Sequence, residues 1–184
     1  MRRFACLLAC VSILLAGCIP SLHPVFTEKD RVFAPALLGT WAADGAKESW
    51  TFSAHDPWSY RLVHVDDKER RGIFTAHLVK IGAATFLDLQ PAEPGSGTTA
   101  FYNFHLLPAH TFFLVHQIEP RLRVSAMSAD WLKQHLKRNP GAIRHEVVDD
   151  QIVITAPTEA LQAFLAKHAA TPDAFAKPTE VARR

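Results

Sequence analysis

Between residues 41 and 127 the chain is cut into short apolar, β-branched or aromatic runs by closely spaced turn signals, and no other feature narrows the choice of folds as far. Glu48, Trp50, Phe52 and Ala54 alternate with Ser49, Thr51 and Ser53 at period two, the pattern of a strand with one face buried. Further runs occupy 60–65, 72–81, 85–89, 101–107, 111–118 and 122–127. Between them lie Asp44-Gly45, Asp56-Pro57, Asp66-Asp67-Lys68, Gly82-Ala83, Pro94-Gly95-Ser96-Gly97, Pro108-Ala109 and Glu119-Pro120, the residue types that tight turns need. With an opening strand at Trp41 the count is eight. Eight antiparallel strands joined by short turns make an up-and-down barrel, because closure leaves no unpaired edge; a Greek-key sandwich is the alternative. A barrel of this size has room for its own side chains or for one small ligand, so it permits a carrier without requiring one.

After the strands the period changes. Ser128 can cap a helix that carries Asp130 in its first turn, Trp131, Leu132 and Leu136 on its apolar side, and Lys137-Arg138-Asn139 before Pro140 at its end. A short extra strand pair is expected over 144–155 around Asp149-Asp150. A second amphipathic helix then starts at Thr155 or Thr158, with Leu161, Phe164, Leu165 and His168 at i, i+3, i+4 and i+7, and packs outside the barrel. These signals divide the chain into residues 1–17, a tether over 18–36, one domain over 37–170 and a loosely held polar tail over 171–184. The tether carries Pro20, Pro24 and Pro35, with local packing expected from Leu22, Val25, Phe26 and Phe33.

At the other end, Arg2 and Arg3 precede a run of 13 residues, 4–16, that is apolar but for Ser12. That is the length of a secretion signal. As a helix it would reach only about 20 Å, short of the ~30 Å hydrocarbon core. Leu15-Ala16-Gly17-Cys18 follows and resembles the lipobox of bacterial lipoproteins. The resemblance implies cleavage between Gly17 and Cys18, a diacylglyceryl group on the Cys18 sulfur and a further acyl chain such as palmitate on its nitrogen. Three chains at ~0.8 kcal/mol per buried methylene would hold the protein on the membrane permanently. Ile19 stands where many inner-membrane lipoproteins carry Asp, which implies the outer membrane, facing the periplasm. Cys6 and Cys10 would leave with the signal and the Cys18 thiol would be blocked, so no disulfide is expected. Without Arg2 and Arg3 the 20 basic residues fall to the 18 of the acidic ones, and no basic stripe remains to bind nucleic acid.

Gly39-Thr40-Trp41, entering the first strand, resembles the Gly-x-Trp signature of lipocalins and related calycin barrels. In those families the Trp plugs the closed end, and the resemblance implies that role for Trp41. Arg121 and Arg123 are candidates for the arginine that covers it. The resemblance extends over about 37–127, and the chain as a whole is similar to a Gram-negative lipoprotein with a calycin-like domain. Trp50, Phe52, Tyr102 and Phe104 are the aromatics that can line a barrel pocket; the alternative is that they fill the core.

Signals for catalysis are sparse. His105, His110 and His116 fall on two neighbouring predicted strands, but without His-x-His, His-Glu-x-x-His or a partner cysteine they read as scattered polar residues; no metal or cofactor is expected. Ser96, in Gly95-Ser96-Gly97, lacks the strand-to-helix elbow of a nucleophile, and Asp88, between Leu87 and Leu89, is expected to face water. Two readings follow for a non-catalytic chain: a membrane-anchored barrel that binds a small apolar molecule or lipid, or an envelope scaffold that meets another protein through its outer surface.

Overall fold

The computed structural model describes residues 18–92 and 99–184. Its strands are β1 (Arg31–Val32), β2 (Gly39–Ala42), β3 (Ser49–Asp56), β4 (Ser59–Val65), β5 (Arg71–Ile81), β6 (Ala84–Pro91), β7 (Thr111–Gln117), β8 (Arg121–Ala126), β9 (His145–Val148), β10 (Gln151–Ile154) and β11 (Thr179–Arg183). The helices are α1 (Ala100–Phe104), α2 (Ala129–Arg138) and α3 (Thr158–His168). Strands β2 to β8 pair antiparallel in chain order, and β11 bonds both β8 and β2, closing an eight-stranded barrel. β1 lies beside β5 where β4 has ended, with Arg31 opposite Val79 and Val32 opposite Leu78. β9 and β10 form a separate hairpin.

Period two is visible where one face meets the core. Trp50 and Phe52 of β3, Tyr60 and Leu62 of β4, Leu122 and Val124 of β8 turn inward, with Trp41 and Leu37, into one buried cluster. In β5, β6 and β7 the alternation disappears: 76–79, 86–89 and 112–114 are buried residue after residue. The cause is a second core outside the barrel. Val79, Phe86, Phe112 and Leu114 meet Ile19, Val25, Leu132 and Leu136 of α2, Ile154, and Leu161, Phe164 and Leu165 of α3. α2 begins at Ser128, whose hydroxyl accepts the Trp131 N–H, and α3 packs on the outer wall as its apolar spacing implies. In the β9–β10 turn Asp149 (φ 47) and Asp150 (φ 63) both take the left-handed conformation that a two-residue hairpin turn demands.

Three expectations are overturned. Residues 101–107 are no strand: Ala100–Phe104 is a short helix, with the Thr99 hydroxyl accepting the Tyr102 N–H. β6 already pairs with β7, Leu89 opposite Thr111, so this segment is an excursion with no free edge to join. The eighth strand comes instead from the supposed tail, whose Val181 pairs Leu122 and whose Arg183 pairs Trp41. Nor is 18–36 a tether. It runs as a strap along the outer wall: Ser21 exchanges both backbone hydrogen bonds with His110 (2.9 and 2.8 Å), and the Ile154 N–H donates to Pro20. Further along, Thr158 donates to the Pro24 carbonyl and Gln162 to that of Val25.

The strand directions define two ends. One carries the short turns after β3, β5 and β7 and is crossed by residues 33–38. The other carries the long connections 92–110 and 127–178.

Candidate functional site

At the end crossed by 33–38, the chain is fastened by side chains that reach over it. The buried Trp41 indole N–H donates to the Leu37 carbonyl at 2.8 Å. The Tyr60 hydroxyl accepts the Ala34 N–H at 2.7 Å, and Phe33 stacks on the Tyr60 ring at 4.7 Å. Neither Arg121 nor Arg123 covers Trp41. Those two arginines reach Glu180 on the barrel surface, and the guanidinium above the indole, 4.6 Å from the ring, belongs to Arg183. Arg183 also donates to the carbonyls of Ala36 and Leu38 and pairs Glu119 at 3.1 Å. One side chain thus joins the last strand, the crossing segment and a turn. The polar composition of 171–184 reads as a tail, so nothing local to position 183 points to this role.

Inside, the aromatics meet one another. Trp50 lies 5.7 Å from Phe113 and 5.9 Å from His64, and Phe52 lies 6.2 Å from Tyr60, all edge to face. At the opposite mouth the His64 ring is 3.1 Å from the Glu48 carboxylate. The space left among Trp41, Trp50, Leu122, Val124 and Val181 is about 30 Å³. That suffices for a water or so, whereas sites for small organic ligands run to roughly 300 Å³ and more. Trp50 and Phe52 are therefore core filling here. Tyr102 and Phe104 are not in the barrel at all: with Phe101, Leu106 and Leu107 they stand on the surface around α1, Phe104 being 82% exposed.

The histidines go to three separate places. His105 is exposed, its ring N–H donating to the Phe101 carbonyl at 2.7 Å. His116 is 2.9 Å from the Ser125 hydroxyl, and burial, then Arg123, pushes its pKa down. His110 is buried under the strap and donates to Asp88 at 2.8 Å. Asp88, expected to face water, is wholly buried, because β6 is covered on both faces. Its second oxygen accepts the Val25 N–H at 2.9 Å. His77 sits opposite Asp88 on β5 with the Phe26 ring 4.0 Å away. Burial pushes the His77 pKa down, against an opposing pull from Asp88, and its Nδ1 is buried without a hydrogen-bond partner. A carboxylate with both oxygens occupied and a covered imidazole act as a fastener for the strap, the role that a paired buried charge can fill. The available signal was Asp88 itself, a charge in the middle of the apolar run Phe86-Leu87-Asp88-Leu89.

Among the described residues no group of three or more His, Cys, Asp or Glu could hold a metal ion, and no helix is long and apolar enough to cross a membrane. Cys18 is half-buried against the barrel cluster, and burial pushes its thiol pKa up. Gly17 and Ser96 lie outside the described residues. A comparison of the chain with family models, with curated proteins and with solved structures returned no match.

Proposed function

We propose that this chain is a non-catalytic module of the bacterial envelope, anchored through lipid on Cys18 to the outer membrane on its periplasmic side, that works through its outer surface. The observation that carries the reading is the contrast between inside and outside. Trp41, Phe52, Tyr60, Leu87 and Phe113 are buried in one cluster and the space left among Trp41, Trp50 and Val124 is about 30 Å³, while Phe101, Phe104 and Leu107 stand in solvent. A rigid filled barrel serves as a scaffold, and exposed apolar groups in one place serve contact. Anchoring rests on the lipobox likeness of Leu15-Ala16-Gly17-Cys18. The Gly39-Thr40-Trp41 entry supports kinship with the calycin barrels and implies no ligand.

Two measurements test this. Growth with radiolabelled palmitate should label the protein and leave Cys18→Ser unlabelled; equal labelling would remove the anchor. Titration of the purified protein with a fluorescent fatty-acid analogue should show no one-to-one binding. Stoichiometric uptake blocked by a bulkier residue at Val124, on the wall of the residual space, would replace the scaffold with a carrier.

A further inference from the structure

We infer that the exposed apolar surface around α1 is a membrane-contact surface that beds into the lipid headgroup region beside the anchor and so sets how the barrel stands on the bilayer. The inference rests on lipidation of Cys18 as proposed above. Phe101, Tyr102, Phe104 and Leu107 are 76, 56, 82 and 79% exposed, and Leu106 is exposed beside them. Residues 99–118 contain no Asp, Glu, Lys or Arg, so no permanently charged side chain in this stretch has to shed water when the surface meets lipid. Burying such side chains is favourable, and a Tyr ring with its hydroxyl suits the headgroup level.

Position selects the lipid over another occupant. Ser21 and His110 are held together by two backbone hydrogen bonds. Cys18 lies three residues before Ser21, and Leu107 three residues before His110. At no more than ~3.6 Å per residue, each is within about 11 Å of that bridge. Acyl chains on Cys18 would therefore hold this end of the barrel against the bilayer, where lipid is presented at high effective concentration. The turns after β3, β5 and β7 lie at the far end. Insertion must be shallow: α1 spans five residues and the chain from Leu106 to Ala109 is irregular, so side chains enter the interface while the backbone keeps its water.

The test uses protein matured in its host, purified and reconstituted into phosphatidylethanolamine and phosphatidylglycerol vesicles. The mass of its N-terminal peptide reports acylation independently of the surface. A nitroxide is attached at Phe104→Cys and, in a second sample, at Trp58→Cys on the turn between β3 and β4 at the far end. We expect the label at 104 to collide with oxygen in preference to a water-soluble nickel chelate by at least threefold more than the label at 58, with Leu107→Cys repeating the result. Equal, aqueous accessibility at 104 and 58 would overturn the inference. Shielding of 104 from both reagents would also overturn it, by assigning the surface to a protein contact. If the peptide mass shows an unmodified Cys18, the anchor fails separately, and the label at 104 on protein mixed with the same vesicles still decides: preference for oxygen supports the contact and an aqueous signal refutes it.

Discussion

Asp88→Ala is the substitution that most directly probes how the strap is held to the barrel. It leaves two donors, the Val25 N–H and the His110 ring N–H, without the oxygens that now lie 2.9 and 2.8 Å away. Both sit where water does not reach, since Val25 and Asp88 are fully buried and His110 nearly so. A buried donor stripped of its partner costs about 1–3 kcal/mol, so the two together reach about 2–6 kcal/mol. The alanine no longer requires a carboxylate to be desolvated, which offsets part of this and leaves a loss of about 3 kcal/mol. With a urea slope of about 2 kcal/mol per molar, the unfolding midpoint should fall by about 1.5 M. Urea denaturation followed by tryptophan fluorescence measures it, and a cycle with His110→Phe isolates the pair. A midpoint within about 0.3 M of the parent, or single changes that add to within about 0.5 kcal/mol in the double variant, would refute the role given to this carboxylate.

Trp41→Ala, a large-to-small change at a fully buried site, should cost about 3–5 kcal/mol, and an unchanged denaturation midpoint would contradict the packing described. Removal of 179–184 takes out β11 and with it both the closing hydrogen bonds and Arg183; calorimetry should show no cooperative transition, and a retained one would mean that β8 and β2 can close without it. Burial lowers the pKa of His77, so the unfolded chain takes up that proton first. Its contribution to stability is complete above the ordinary histidine value of about 6.5 and is lost as the pH falls below it. The midpoint of the parent should accordingly drop more steeply below about pH 6.5 than that of His77→Phe, and parallel pH profiles would count against the assignment.

What could be read along the chain and what could not divides on the range of the interactions. The strands over 48–54, 60–65, 72–81 and 122–127, the Ser128 cap and the Asp149-Asp150 turn announce themselves through neighbours a few residues away, and each stands in the structure. The aromatic stretch 101–107 has the composition of a strand but no edge to pair with, because β6 and β7 bond each other. Thr179–Arg183 has little strand composition, with Val181 its one large apolar residue, yet β8 and β2 leave between them a gap that only a strand can close. Asp88 and the proline-rich strap repeat the lesson at the level of side chains. Seen locally, a carboxylate between two leucines faces water and a segment with Pro20 and Pro24 hangs loose. Once α2, α3 and the strap cover the outer wall of β5 to β7, that face becomes interior and the carboxylate must find its donors there. Local pattern decided most of the extended segments and where they turn; which segment completes the cylinder, and which of its faces is dry, was decided by contacts between residues distant in sequence, among them Val25 with Asp88, 63 positions apart, and Arg183 with Leu38, 145 apart.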